Sequence, residues 1–157
     1  MLTYIPKVHK TDSLQVEVYF SDACYAPLFK SALKANSFYC FDHDFTMGDI
    51  QNISIDIPIP STKKIRIWAS HSDIHEYLSF LYICTYFKGE DISVVFVDDY
   101  TPDLFSLSAA TYNEVSELLK YEKILSAIDR NEYIQEWERL CLENGELRIF
   151  KNKKVIS

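Results

Sequence analysis

The chain has 157 residues, is 48% hydrophobic and 25% charged, and carries a formal net charge of -7. That length fits one domain, or one domain with a small appendage. The negative charge argues against a protein that tracks nucleic-acid backbones, which needs a basic footprint, and it permits a basic protein partner, a cationic ligand or a metal ion.

Aromatic residues are abundant, with 11 Tyr, 10 Phe and 2 Trp. They can fill a sizeable core and can also furnish an adhesive surface. Cys24, Cys40, Cys84 and Cys141 make no CxxC spacing and sit in apolar contexts. They read as reduced core thiols of a cytoplasmic protein. Lys7, His9 and Lys10 are followed by no apolar run, so neither a signal peptide nor a membrane span is expected.

Residues 1–12 form a polar lead-in. Leu14, Val16, Val18 and Phe20 alternate with Gln15, Glu17 and Tyr19, which predicts a strand. Pro27 suits the first turn of a helix whose apolar face is Leu28, Phe29, Ala32 and Leu33. Phe38–Phe41 reads as a short buried strand. Ile53, Ile55, Ile57 and Ile59 alternate with polar residues, but Pro58 and Pro60 confine them to an edge or an extended connection. Lys64–Ala69 predicts a third strand.

Ser70–Ser72 is expected to cap a helix reaching about Phe87, apolar almost all round and ended by Gly89. Ile92–Val97 is continuous and β-branched, like a central parallel strand. From about residue 108 the pattern is helical. Thr111 with Glu114, and Asp129 with Glu132, resemble capping boxes, and Asn144-Gly145 ends the second helix. Leu147–Phe150 and Lys154–Ile156 flank a turn and predict a closing hairpin. The alternation of strand and helix implies an α/β fold: a mainly parallel open sheet of about four strands with flanking helices. Residues 1–107 form that α/β domain, and residues 108–157 a small helical segment with a β-hairpin.

Five segments carry a resemblance. Val18-Tyr19-Phe20-Ser21-Asp22 is similar to a strand ending in Gly-Asp-Ser. Asp44-Phe45-Thr46-Met47-Gly48-Asp49 is similar to an Asp-Leu-Ser-x-Gly-Pro turn. Ile67-Trp68 followed by Glu76 matches a strand-Trp and helix-Glu pairing. A helix starts at Asn113–Leu119. Trp137-Glu138-Arg139-Leu140, with Glu143-Asn144 and Leu147-Arg148, is similar to a Trp-x-x-Leu, Glu-Asn, Leu-Arg series. In this order the chain resembles the bacterial domain-of-unknown-function family 1835 followed by its C-terminal partner domain. Ser21, Ala23 and Asp49 depart from the family's Gly, Ser and Pro. The resemblance implies a fold and an architecture, and no catalytic residues.

In an open parallel sheet, ligands bind beyond the carboxyl ends of the strands, where the strand order reverses. For an order 2-1-3-4 the loops at that point hold Asp22 and Ser70-His71-Ser72, with Asp42, His43, Asp44 and Asp98 on the same rim. Asp22 can bind a ligand or cap its own turn. Asp42, His43 and Asp44 can form an acid-base or metal cluster, or a solvated turn with Gly48 at positive φ. His71 and His75 lie one helical turn apart, the spacing of a metal-chelating pair, with Asp44 or His43 as a third ligand and Glu76 beside them. Cys24 reads as a small buried thiol, Trp68 and Trp137 as core anchors, and Arg148 as an ion-pair former. The loop after the first strand lacks a glycine, no Walker sequence is present, and the rim is acidic, so a phosphate ligand is disfavoured and no cofactor is evident beyond a divalent metal.

Two functions fit these residues. The first is a non-enzymatic interaction module whose acidic, aromatic-rich surface binds a basic protein, as an immunity protein or antitoxin does. The second is a small metal-assisted hydrolase or transferase using Asp22, Asp44, His71 and Glu76.

Overall fold

The computed structural model describes residues 15–20, 37–41, 43–51, 53, 55–60, 63–87, 91–100, 112–151 and 154–156. The predicted helix over Pro27–Leu33, Cys24, Asp22 and Asp42 lie outside them. Four parallel strands run β1 (Gln15–Tyr19), β2 (Phe38–Cys40), β3 (Lys64–Ala69) and β4 (Ile92–Phe96). Their order is β2-β1-β3-β4, and the antiparallel two-residue strand β5 (Lys123–Ile124) extends the sheet beyond β4. The helices are α1 (Ile74–Tyr86), α2 (Tyr112–Leu118) and α3 (Ala127–Glu143), and β6 (Ile149–Lys151) with β7 (Lys154–Ile156) closes the expected hairpin. The fold is therefore α/β with a mainly parallel sheet. No helix among the described residues is long and apolar enough to cross a membrane.

Both sheet faces are buried, which is why β4 is apolar at every position but Ser93. One face presents Val16, Val18, Ile65, Ile67, Val94 and Phe96 to α1. The helix α1 is apolar all round because it lies between that face and α3. Trp137, Leu140 and Val155 join the same core. The Trp137 ring meets Phe45 edge-on at 5.0 Å and Tyr82 at 5.5 Å. The opposite face packs Tyr19, Trp68, Val95 and Val97 against Val115 and Leu118 of α2.

That second face also carries ions. Glu17, Arg66 and Ser93 are direct cross-strand partners, one rung across three parallel strands. Arg66 donates from Nη1 to Glu17 Oε2 and from Nε to Glu122 Oε2, both at 2.9 Å. Trp68 Nε1 donates to Glu17 Oε1 at 2.7 Å, and Ser93 Oγ to Glu122 Oε2 at 2.5 Å. Burial raises the Glu17 carboxyl above its ordinary 4.5, against the pull of Arg66 and the Trp68 hydrogen bond. Burial also acts to raise Glu122, but its bonds from Arg66 and Ser93 hold it below the ordinary value.

The starts of both long helices differ from expectation. The cap of α1 is Asp73, whose Oδ1 accepts from the Glu76 N–H; Ser70 Oγ instead accepts from the Ser72 N–H. The α1 cap at the far end is Phe87. The α3 helix starts at Ser126, whose Oγ accepts from the Asp129 N–H, so Asp129 is the residue being capped. Asn144 ends α3 in the left-handed region at φ 42°, as the Asn-Gly pair predicts. The Ile53–Ile59 segment is an extended connection: Tyr82 Oη accepts from the Ile55 N–H, and Tyr86 Oη from the Ile57 N–H.

Candidate functional site

The carboxyl end of β3 leads into Ser70, His71 and Ser72, and that of β4 into a 3₁₀ turn over Val97–Asp99. These two loops meet. Asp98 Oδ1 accepts from the His71 N–H at 3.1 Å, and Oδ2 from Ser72 Oγ at 3.0 Å. His71 Nδ1 lies 3.5 Å from Asp98 Oδ1, and its ring stacks on Phe96 at 3.7 Å. Burial works to raise the Asp98 carboxyl, but the His71 and Ser72 hydrogen bonds outweigh it and lower the value. Asp99 accepts from Lys123 Nζ at 3.0 Å. His71, Asp98 and Asp99 each offer one ligand atom, all within 4.8 Å of one another. His71 is thus joined by Asp98 and Asp99, and His75 and Asp44 are not in that group.

His75 and His43 instead lie near Asp44. Asp44 Oδ1 accepts from the Thr46 N–H at 2.8 Å and from Thr46 Oγ1 at 2.5 Å, and these two bonds lower its carboxyl. The His43 ring packs on Phe45 at 4.5 Å. Glu76 is buried in the first turn of α1. Trp68 is buried too, so it offers no stacking surface.

The turn over residues 44–50 is bound to the C-terminal segment, a contact that sequence reasoning missed. Asp49 Oδ1 accepts from the Gln51 N–H at 2.8 Å and from Asn144 Nδ2 at 3.0 Å. Asn144 Oδ1 accepts from the Ile50 N–H at 2.8 Å. The Gly48 N–H donates to the Glu146 carbonyl, and the Arg148 N–H to that of Thr46. Gly48 holds φ +84°, as the turn requires. The buried Arg148 guanidinium donates to the carbonyls of Phe45 at 2.9 Å and Gly48 at 2.8 Å, and to Asn144 Oδ1 at 3.3 Å. An ion pair is expected of Arg148, but among the described residues its hydrogen bonds go to neutral oxygens, because the turn's carbonyls converge on it.

Charge on α3 is arranged unevenly. Asp129, Glu132, Glu138 and Glu143 are exposed, and Glu146 follows them. Its arginines turn inward: Arg130 donates to the Phe87 carbonyl, and Arg139 Nη2 to the Val155 carbonyl at 2.7 Å, with Glu136 and Glu143 on its other nitrogens. Tyr77, Tyr133, Glu132, Glu136, Arg139 and Lys154 line an open groove of about 410 Å³ between α1, α3 and β7. Burial raises the hydroxyl of Tyr77, with the Glu136 charge adding to it. Burial holds the Cys84 thiol up at about 12; Cys40 and Cys141 are half-buried. Compared with known protein families, characterised proteins and solved structures, the chain matches none of them.

Proposed function

We propose that the chain is a non-enzymatic interaction module that binds a basic protein through its acidic, tyrosine-bearing surface, in the manner of an immunity protein or antitoxin. One observation carries this reading: α3 exposes Asp129, Glu132 and Glu138, while its Arg139 is taken up by Glu136, Glu143 and the Val155 carbonyl. Exposed carboxylates on one helix make a negative local field, and such a field steers cationic partners and speeds their encounter. The Tyr77–Tyr133 groove places aromatic rings beside carboxylates, a setting that receives Lys or Arg heads. The likeness to family 1835 is a proposal as well, supported by its Asp44–Asp49 and Asn144–Arg148 motifs bonding to each other.

A labelled lysine-rich peptide should associate with the protein at low salt. Its on-rate should fall by about tenfold or more as salt is raised into the screening range. Glu132→Gln with Glu138→Gln should slow association at low salt and leave folding intact. Association that ignores both salt and these substitutions would sink the proposal.

A second reading, a metal-assisted hydrolase or transferase, is favoured by the His71, Asp98 and Asp99 donor set. An imidazole with two carboxylates can hold a divalent ion and activate water, if Asp98 gives up its bonds to Ser72 and the His71 N–H. Calorimetric titration with Mn²⁺ and Zn²⁺ should then show binding that Asp98→Asn abolishes. Flat titrations for both ions rule this reading out.

A further inference from the structure

Resting on the interaction-module reading, we infer that the basic partner docks on an apolar strip formed by Met47, Leu147, Ile149 and Ile156, through a segment alternating Lys or Arg with apolar side chains.

Met47 and Leu147 face each other in an antiparallel bridge, and Ile149 is the direct partner of Ile156 in the hairpin. Arg148 points inward between them, so Leu147 and Ile149 must point out, and Val155 is likewise buried beside Ile156, which is half-buried. Met47 is 61% exposed, Leu147 57% and Ile149 48%. Large apolar side chains left in water side by side mark a contact surface.

The strip is rimmed by charge of one sign at its bridge end. Asp44 and Asp49 flank Met47 in the turn, Glu146 precedes Leu147, and all three are exposed. A purely cationic ligand would satisfy only this rim, and a purely apolar one only the strip. A segment with both matches the surface by charge and by apolarity. The platform is rigid, because Arg148, Asn144 and Asp49 bond the turn to the hairpin from beneath. Little ordering is left for binding to supply, while Met47 adapts its shape to what lands on it. A second copy would bring an equal net charge of -7 and the same acidic rim against its own.

The test is a shift map. Isotope-labelled protein is titrated with two peptides of equal length and charge, one alternating Lys with Leu and one alternating Lys with Ser. The Lys–Leu peptide should move the amides of Met47, Leu147, Ile149 and Ile156 most. It should bind about tenfold or more tighter than the Lys–Ser peptide, the gain from burying leucine side chains. Met47→Ser with Leu147→Ser should erase that difference and keep the unfolding midpoint; should the variant misfold, the map on the unaltered protein still decides. Equal affinities, or shifts confined to α3, overturn the strip and leave the acidic-surface reading standing. No binding of either peptide at low salt defeats that reading itself. A dimer in sedimentation that Met47→Ser with Leu147→Ser dissolves would assign the strip to a second copy and overturn the inference as well.

Discussion

Replacing Arg66 by Met should destabilise the protein by about 3–5 kcal/mol at neutral pH, because it leaves the buried Glu17 carboxylate without its cation. Trp68 Nε1 would remain the only strong donor to Glu17 in the rung, and Glu122 would lose its bond from Arg66 Nε. The defect should depend on pH in a defined direction. The folded-state value of Glu17 already lies above 4.5 through burial, and loss of Arg66 raises it further. A raised carboxyl contributes stability that is full below the unfolded value and lost as pH rises through the folded one. Glu122 has the opposite sign: its lowered carboxyl stabilises the unaltered protein at neutral pH, and that contribution fades as pH falls. Both effects narrow the gap between variant and parent on acidification. Urea unfolding at neutral pH and near pH 4.5 measures this. Adding Glu17→Gln to Arg66→Met should restore much of the loss, since Gln keeps an acceptor for Trp68 and carries no charge. A gap that is constant with pH would mean that the rung is not an ionic unit.

Arg148→Met should cost about 2–4 kcal/mol, because the carbonyls of Phe45 and Gly48 lose buried donors and the turn loses its anchor. Burial lowers the Arg148 guanidinium below its ordinary value. Hydrogen exchange should quicken at the Gly48 and Ile50 amides, which donate to Glu146 and Asn144, before it quickens in β1 or β3. A variant within about 0.5 kcal/mol of the parent would show that the backbone bonds alone hold the turn.

Legibility in the sequence followed the range of the forces. The alternation in Gln15–Tyr19 and Lys64–Ala69 and the β-branched run at Ile92–Phe96 are local, and each is a parallel strand. Strand β5 had no signal: two exposed residues pair with β4 only because the chain between α2 and α3 passes alongside it. At the helix starts, neighbouring polar residues compete. Asp129 looked like a cap because it is polar and early, yet Ser126 sits in the geometry that reaches its N–H. The Glu17–Arg66–Ser93 rung was present in the alternation as polar residues at buried strand positions, but only the register makes them neighbours. The aspartates of the Asp44–Asp49 turn were read as chemistry. What they bond to is set by Thr46 nearby and by Asn144, which arrives from 95 positions away.

That separation bears on synthesis. The turn over residues 44–50 leaves the ribosome well before Asn144, Glu146 and Arg148, which bind it. Trp137 and Val155, which complete the core around Phe45, come from the same late stretch. A nascent chain that already holds β1–β4 must therefore wait with Phe45 and part of α1 uncovered. Native structure should appear late and in one step during translation, and ribosome-stalled chains lacking residues 137–156 should be the ones that chaperones hold.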